Sequence, residues 1–211
     1  MMSSVFDNFP FSWVTKEKRD DEIEDVEEMS QRKIIFLDID GVLNNEETAF
    51  ETGIKIDEQK VGILKHIVEE TGAEIILSSS WKRGYCRFIK DGLQAKDPAF
   101  KLLYDSLEKV GLKISGVTPI SSESGPCARP LEIREWLYRF YRIFSYVILD
   151  DDIFWDWGFL QRNVVTTTTF YPENGSSHQY VTGLTMEHAE RAIAILNEEG
   201  AMKRIKTRWT E

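Results

Sequence analysis

Lys33-Ile34-Ile35-Phe36-Leu37-Asp38-Ile39-Asp40-Gly41-Val42-Leu43-Asn44 is a short apolar run that stops abruptly in two carboxylates and a glycine. An uninterrupted apolar run too brief for a helix suits a strand buried on both faces. Asp38 and Asp40 are two apart, so both project from one side of an extended chain as it leaves the sheet, the edge at which α/β proteins place ligands. Two carboxylates crowded together repel unless a cation neutralises them. With Gly41 allowing a tight turn, the pair suits chemistry in which one aspartate attacks and the other transfers a proton beside a bound Mg²⁺.

Working outward, the pattern of an apolar strand running into polar groups recurs twice. After a polar connector from Asn45 to Ile56, Asp57 is placed as the N-cap of a helix whose Val61, Leu64, Ile67 and Val68 share a face, with Gly72 as its stop. Ala73 to Leu77 then forms a strand that delivers Ser78, Ser79 and Ser80 at its carboxyl end. A strand, crossover helix and strand in this order make a right-handed unit with parallel strands, so the serines emerge on the edge that carries Asp38. Tyr146-Val147-Ile148-Leu149 is a further buried strand, and it runs into Asp150, Asp151 and Asp152. These carboxylates are placed on the sheet edge that carries Asp38 and Asp40, with Asp150 and Asp151, or Asp152 and Asp156, as the candidate pair.

Between these strands, Lys82 to Lys96 reads as irregular and basic. Asp97-Pro98 opens a helix with Phe100, Leu103, Leu107 and Val110 inward and Gly111 at its stop. Leu112 to Ile120 alternates like a strand, and Pro130 starts a helix with Ile133, Trp136, Leu137 and Phe140 on one stripe. Beyond the acidic run come an aromatic patch of Phe154, Trp155, Trp157 and Phe159, a last strand from Val164 to Phe170, and a closing helix after Gly183-Leu184-Thr185. His66, His178 and His188 have no metal-ligand spacing.

A chain of 211 residues suits one domain with decorations, here an aromatic and acidic arm over 1–32, a domain over 33–200 and a basic tail over 201–211. Hydrophobic residues at 42% are a globular value, and no apolar run approaches the ~20 residues of a membrane span. The first residues lack the basic-then-apolar pattern of a standard signal peptide, which predicts a cytoplasmic protein. Cys86 and Cys127 imply no disulfide framework and lie in no nucleophile motif. A net charge of −10 disfavours a broad nucleic-acid footprint, which needs clustered Lys and Arg.

Asp38-Ile39-Asp40-Gly41-Val42-Leu43-Asn44 resembles the first motif, DxDGxxx, of the haloacid dehalogenase (HAD) superfamily of phosphatases. The strings FLDIDGVLN, ILSSSWK and YVILDDD, with GLT before the last helix, look most like the HAD domains grouped with RNA-repair "Swiss army knife" proteins. The resemblance implies an α/β, Rossmann-like three-layer sandwich around a central parallel sheet. It makes Asp38 the nucleophile of an aspartyl-phosphate intermediate and Asp40 the group that protonates the leaving oxygen and then activates water. Magnesium is expected on the Asp38 carboxylate, the Asp40 backbone carbonyl and Asp150 or Asp151. Ser78, with Ser79 beside it, takes the place that hydrogen-bonds the transferring phosphoryl group. The third motif's cation falls first to Arg129, then to Lys82 or Arg83, which are also placed as substrate-binding groups; related domains often read SSWR, so Lys82 is a departure.

The superfamily's insertion points for a lid hold only a loop and one helix each, which predicts a capless enzyme with an open cleft, suited to a phosphate on a macromolecule. Acidity favours phosphoprotein over nucleic-acid ends. The superfamily includes a bacterial effector phosphotyrosine phosphatase, delivered into a host cell, and the surface near Trp155 offers a ring on which a tyrosyl group stacks. A 3′ or 5′ nucleic-acid end phosphatase of RNA-repair type is the alternative, and a catalytically silent scaffold that binds a partner is the reading from a different class.

Overall fold

The apolar run of the first motif becomes the middle of the molecule because it has no polar face to offer water. In the computed structural model, which describes residues 32–45, 56–91, 98–121, 128–139, 145–153, 155–173 and 176–198, Lys33–Leu37 is β1, the central strand of a five-stranded sheet. Its neighbours are β2 (Glu74–Leu77) on one side and β4 (Ser145–Asp150) on the other. β3 (Ile114–Val117) and β5 (Val164–Thr166) complete the order β3-β2-β1-β4-β5. Every pairing within it is parallel. The order reverses between β1 and β4, and such a switch point opens a crevice at the carboxyl ends of the strands.

Helices cover both faces, as parallel strands require. On one side lie α1 (Glu58–Thr71), α3 (Pro98–Lys109) and α5 (Met186–Asn197), which bury Leu64, Ile67, Leu103, Leu107, Ala189, Ala192 and Leu196 against Ile35 and Leu37. On the other side α4 (Ala128–Arg139) packs Ile133, Trp136 and Leu137 against Ile34, Phe36, Ile76 and Ile148. Phe36 meets Trp136 edge-on at 5.3 Å and Tyr146 at 6.0 Å, contacts that each add about 0.5–1.5 kcal/mol to area burial. Alternate residues of β1 thus feed the two cores, and the sandwich has three layers.

Caps follow the sequence closely. The Asp57 side chain accepts from the Gln59 N–H at 2.8 Å to start α1, and Gly72, with φ of 68°, ends it. Three segments differ from the sequence reading. Lys82–Asp91 is a helix, α2, where an irregular stretch was expected; its Tyr85 joins Trp81 in the core. The third strand is shorter than Leu112 to Ile120. The expected last strand, Val164 to Phe170, is divided: β5 ends at Thr166, and Thr168–Glu173 (β6) instead pairs antiparallel with Ser176–Val181 (β7) in a separate two-stranded ribbon. Residues 1–31 of the N-terminal arm, the C-terminal tail, the connector over 46–55, Cys127, Phe140 and Phe154 lie outside the described residues.

No lid stands among the described residues between β1 and β2, or between β3 and β4. The β6–β7 ribbon springs from the sheet's carboxyl edge instead. Its base is tied to the strand-end loops: the Thr167 hydroxyl donates to the Gly41 carbonyl at 2.6 Å, the Thr168 hydroxyl donates to the Asp151 carbonyl, and the Leu184 N–H donates to the Val42 carbonyl at 2.8 Å.

Candidate active site

The register of the sheet decides which polar residues meet. Leu37 pairs with Leu77 on one side and Leu149 on the other, so the residues that follow come out level. The ladder also runs on one bond past the strands: Asp38 N–H donates to Leu149 carbonyl at 3.0 Å and Ser78 N–H to Leu37 carbonyl at 2.8 Å. Asp38, Ser78 and Asp150 therefore line one edge. Carboxylate atoms of Asp38, Asp150 and Asp151 all lie within 4.8 Å of one another.

Burial makes this cluster electrostatically costly. Asp38 is 4% exposed and Asp150 1% exposed. Loss of water pushes the Asp38 carboxyl above its usual range, although Arg129 and the hydrogen bonds from Ser79 and the Ile39 N–H pull the other way. Burial, reinforced by the charge of Asp38, pushes Asp150 up to about 7. The same two causes raise Asp151 to about 6. A site whose carboxylates are held this close gains most from a hard, oxygen-seeking cation, which removes both the desolvation cost and the repulsion.

Arg129, in the first turn of α4, supplies the one organic cation that reaches this edge among the described residues, and it pairs with both Asp38 and Asp150. Burial works against its charge, but the two aspartates outweigh burial and hold the guanidinium firmly protonated. Its guanidinium carbon lies 5.3 Å from the centroid of the Trp155 ring, a cation–π contact that helps fix it. Trp155 is thus engaged with Arg129, and Trp157 is buried in the core beneath α4; of the expected aromatic patch, Phe159 is exposed at 39%.

Asp40 is exposed and anchored. Its two carboxylate oxygens accept from Asn44 Nδ2 at 3.2 Å and from Trp81 Nε1 at 2.9 Å. Asn44 is itself fixed, because its Oδ1 accepts the Gly41 N–H at 2.7 Å. Gly41, at φ of 70°, occupies a conformation and a space that only glycine fits: a Cβ there would run into the Asp151 carboxyl.

The serines divide. Ser79 hydrogen-bonds the Asp38 side chain, whereas the buried Ser78 hydroxyl has no partner among the described residues. Lys82 has partners of its own. Its ammonium donates to Thr118 Oγ1 at 3.1 Å and the Pro119 carbonyl at 2.8 Å, and it pairs with Glu132. Burial lowers its basicity, with Glu132 opposing. Arg83 is exposed, as are Ser80 and Asp156. Asp152 donates its N–H to Asp150 Oδ1 at 2.9 Å, which makes it part of the loop that shapes the cluster.

Residues 34–172, more than half of the chain, match the family described as the HAD domain in Swiss Army Knife RNA repair proteins. The chain belongs to this family. No curated protein and no solved structure matched it. The all-parallel central sheet flanked by helices is the α/β, Rossmann-like fold that the HAD resemblance implied. HAD membership supports a hydrolase of the phosphatase kind, and the aspartate cluster is a donor set that could bind a metal. Two features of this HAD domain had weak or no sequence signal. Trp81 reaches Asp40 across 41 positions of chain, and only the β1–β2 register brings them together. Ser79 contacts Asp38, a choice that three consecutive serines leave open.

Proposed function

We propose that this HAD domain is a Mg²⁺-dependent phosphomonoester phosphatase that works through an aspartyl-phosphate on Asp38. The observation that carries the reading is the convergence of Asp38, Asp150, Asp151 and Arg129 at the switch point of the sheet. Three crowded, half-neutralised carboxylates fit a hard divalent cation, with Asp38 and Asp150 or Asp151 as its side-chain ligands. Bound there, magnesium would supply positive charge for the phosphoryl oxygens.

The chain's own residues account for the rest of the reaction. A carboxylate oxygen of Asp38 attacks phosphorus as the bond to the leaving oxygen breaks, and Asp40 gives that oxygen its proton. Water then attacks the phosphorus of the aspartyl-phosphate, Asp40 takes the water's proton, and inorganic phosphate leaves. Arg129 offers planar paired donors to the phosphoryl oxygens. The Ser78 hydroxyl, without a partner among the described residues, is a further donor whose hydrogen bond a substrate phosphate would satisfy.

For substrate we propose a phosphate presented by a macromolecule, in keeping with the lack of a lid among the described residues between β1 and β2 or between β3 and β4. Two readings have separate support. The family's proteins are described as RNA repair proteins, which favours an RNA end phosphate. The net charge of −10 favours a phosphoprotein, with phosphotyrosine the first candidate. Phosphate release from a 3′- or 5′-phosphorylated oligoribonucleotide, a phosphotyrosyl peptide and a phosphoseryl peptide, each with Mg²⁺ and with EDTA, tests both. Activity that persists in EDTA would overturn the metal reading, and release from none of the substrates would overturn the phosphatase.

A further inference from the structure

Asp40 has to give up a proton in the first step, and the negative charge it then carries must be received by something. The structure places two N–H groups on its two oxygens: Asn44 Nδ2 on Oδ1 at 3.2 Å and Trp81 Nε1 on Oδ2 at 2.9 Å. Asn44 belongs to the same loop and follows from the first motif. Trp81 does not. It comes from the far end of the second strand and is held from three sides. Its backbone N–H donates to the Ser79 hydroxyl oxygen at 3.4 Å, its carbonyl accepts the Tyr85 N–H at 2.9 Å, and its ring packs edge-on against Phe100 at 5.6 Å. At 8% exposure it has little freedom to move. A fixed donor aimed at an atom where charge develops stabilises the transition state more than the ground state.

We propose that Trp81 is a positioning residue for leaving-group protonation, its indole N–H holding Asp40 Oδ2 and stabilising the carboxylate that forms there. As the Asp38 oxygen–phosphorus bond forms and the phosphorus–leaving-oxygen bond breaks, the proton passes from Asp40 to the leaving oxygen, and the charge left on Asp40 falls on the Trp81 and Asn44 donors. An indole N–H donates and never accepts, so it cannot compete for the proton. The effect depends on the leaving group. Phenolate is a poor one and needs the proton; 4-nitrophenolate leaves readily without it.

The inference rests on the phosphatase reading, and one experiment separates the two. The full chain with Mg²⁺ is assayed on phenyl phosphate and 4-nitrophenyl phosphate, comparing the unaltered protein with Trp81→Phe and with a protein carrying β-(3-benzothienyl)alanine at position 81. The analogue keeps the shape of indole and lacks only the N–H. Because kcat/KM reports steps up to the phosphoenzyme, both replacements should lower it roughly tenfold or more on phenyl phosphate. On 4-nitrophenyl phosphate the change should stay within about threefold. If the unaltered chain releases phosphate from neither ester, the phosphatase reading falls and this role with it. If it acts on both and the analogue lowers both equally, or neither, the phosphatase stands and the role of Trp81 is overturned. Should Trp81→Phe fail to fold, the analogue alone decides.

Discussion

Gly41 shows how much of the site is set by single residues. Its φ of 70° places it where a side chain is strained, and the Asp151 carboxyl fills the space beside it. Gly41→Ala should lower stability by at least about 1–2 kcal/mol from the left-handed backbone alone. At this chain length that amounts to a Tm fall of roughly 2–8 °C, with Asp151 displaced as well. A melt unchanged from wild type would contradict this account. Asp38→Asn tests the chemistry instead. No neighbouring group replaces a lost nucleophile, so phosphate release should fall by at least about a thousandfold while the circular-dichroism spectrum is retained. Near-normal turnover in a folded variant would end the covalent mechanism. At this scale the sequence was informative where a carboxylate follows a strand, because strand ends fix direction. It was uninformative for Lys82, whose partners Thr118, Pro119 and Glu132 come from later segments, and for Trp155, whose stacking on Arg129 requires the fold.

Elements were legible where a period and a cap agreed, as in α1 with Asp57 and Gly72. α2 was missed because its sequence KRGYCRFIKD is mostly polar and basic and hides the core contact of Tyr85. The ribbon was missed because Val164 to Phe170 continues without a breaker through β5 into β6. The signal that would have found it is Asn174-Gly175, the dipeptide most typical of a two-residue hairpin, between Glu173 and Ser176. α5 carries a device with a pH dependence. Thr185 caps it by accepting the His188 N–H, and His188 Nδ1 accepts the Thr185 N–H at 3.2 Å, a capping box with histidine in place of the usual Glu or Gln. Burial, with help from Arg191, lowers the basicity of His188 in the folded state, Glu187 opposing. The unfolded chain therefore binds this proton first. Stability from the neutral ring is complete above the unfolded pKa of about 6.5 and is lost as pH falls through the lower folded value. His188→Gln keeps an acceptor that does not titrate. Its Tm should match wild type near pH 8 and exceed it by roughly 2–4 °C near pH 5, a cap being worth about 1 kcal/mol. Parallel melting curves at both pH values would show the ring to be irrelevant.

Across the whole molecule, charge bears on substrate more than on fold. A central parallel sheet, with aspartates where its strands end, follows from short apolar strands separated by helices, and that much was readable in 211 residues. The substrate was not, because it depends on surfaces that no motif encodes. A chain of net charge −10 repels a polyanion at long range, and the repulsion is screened over about 10 Å at 0.1 M salt and about 30 Å at 0.01 M. If RNA ends are substrates, the acidic surface should make kcat/KM for a phosphorylated oligoribonucleotide rise as NaCl is raised from about 0.01 to 0.15 M, since the approach is slowed by like charge. A short phosphotyrosyl peptide of neutral flanks should show a much flatter dependence. The opposite slope, a steep fall of oligonucleotide turnover with salt, would mean that Lys and Arg release counterions along the strand. That outcome would reveal a local basic track which the total charge conceals, and it would favour the RNA-end reading over phosphoprotein however acidic the chain as a whole.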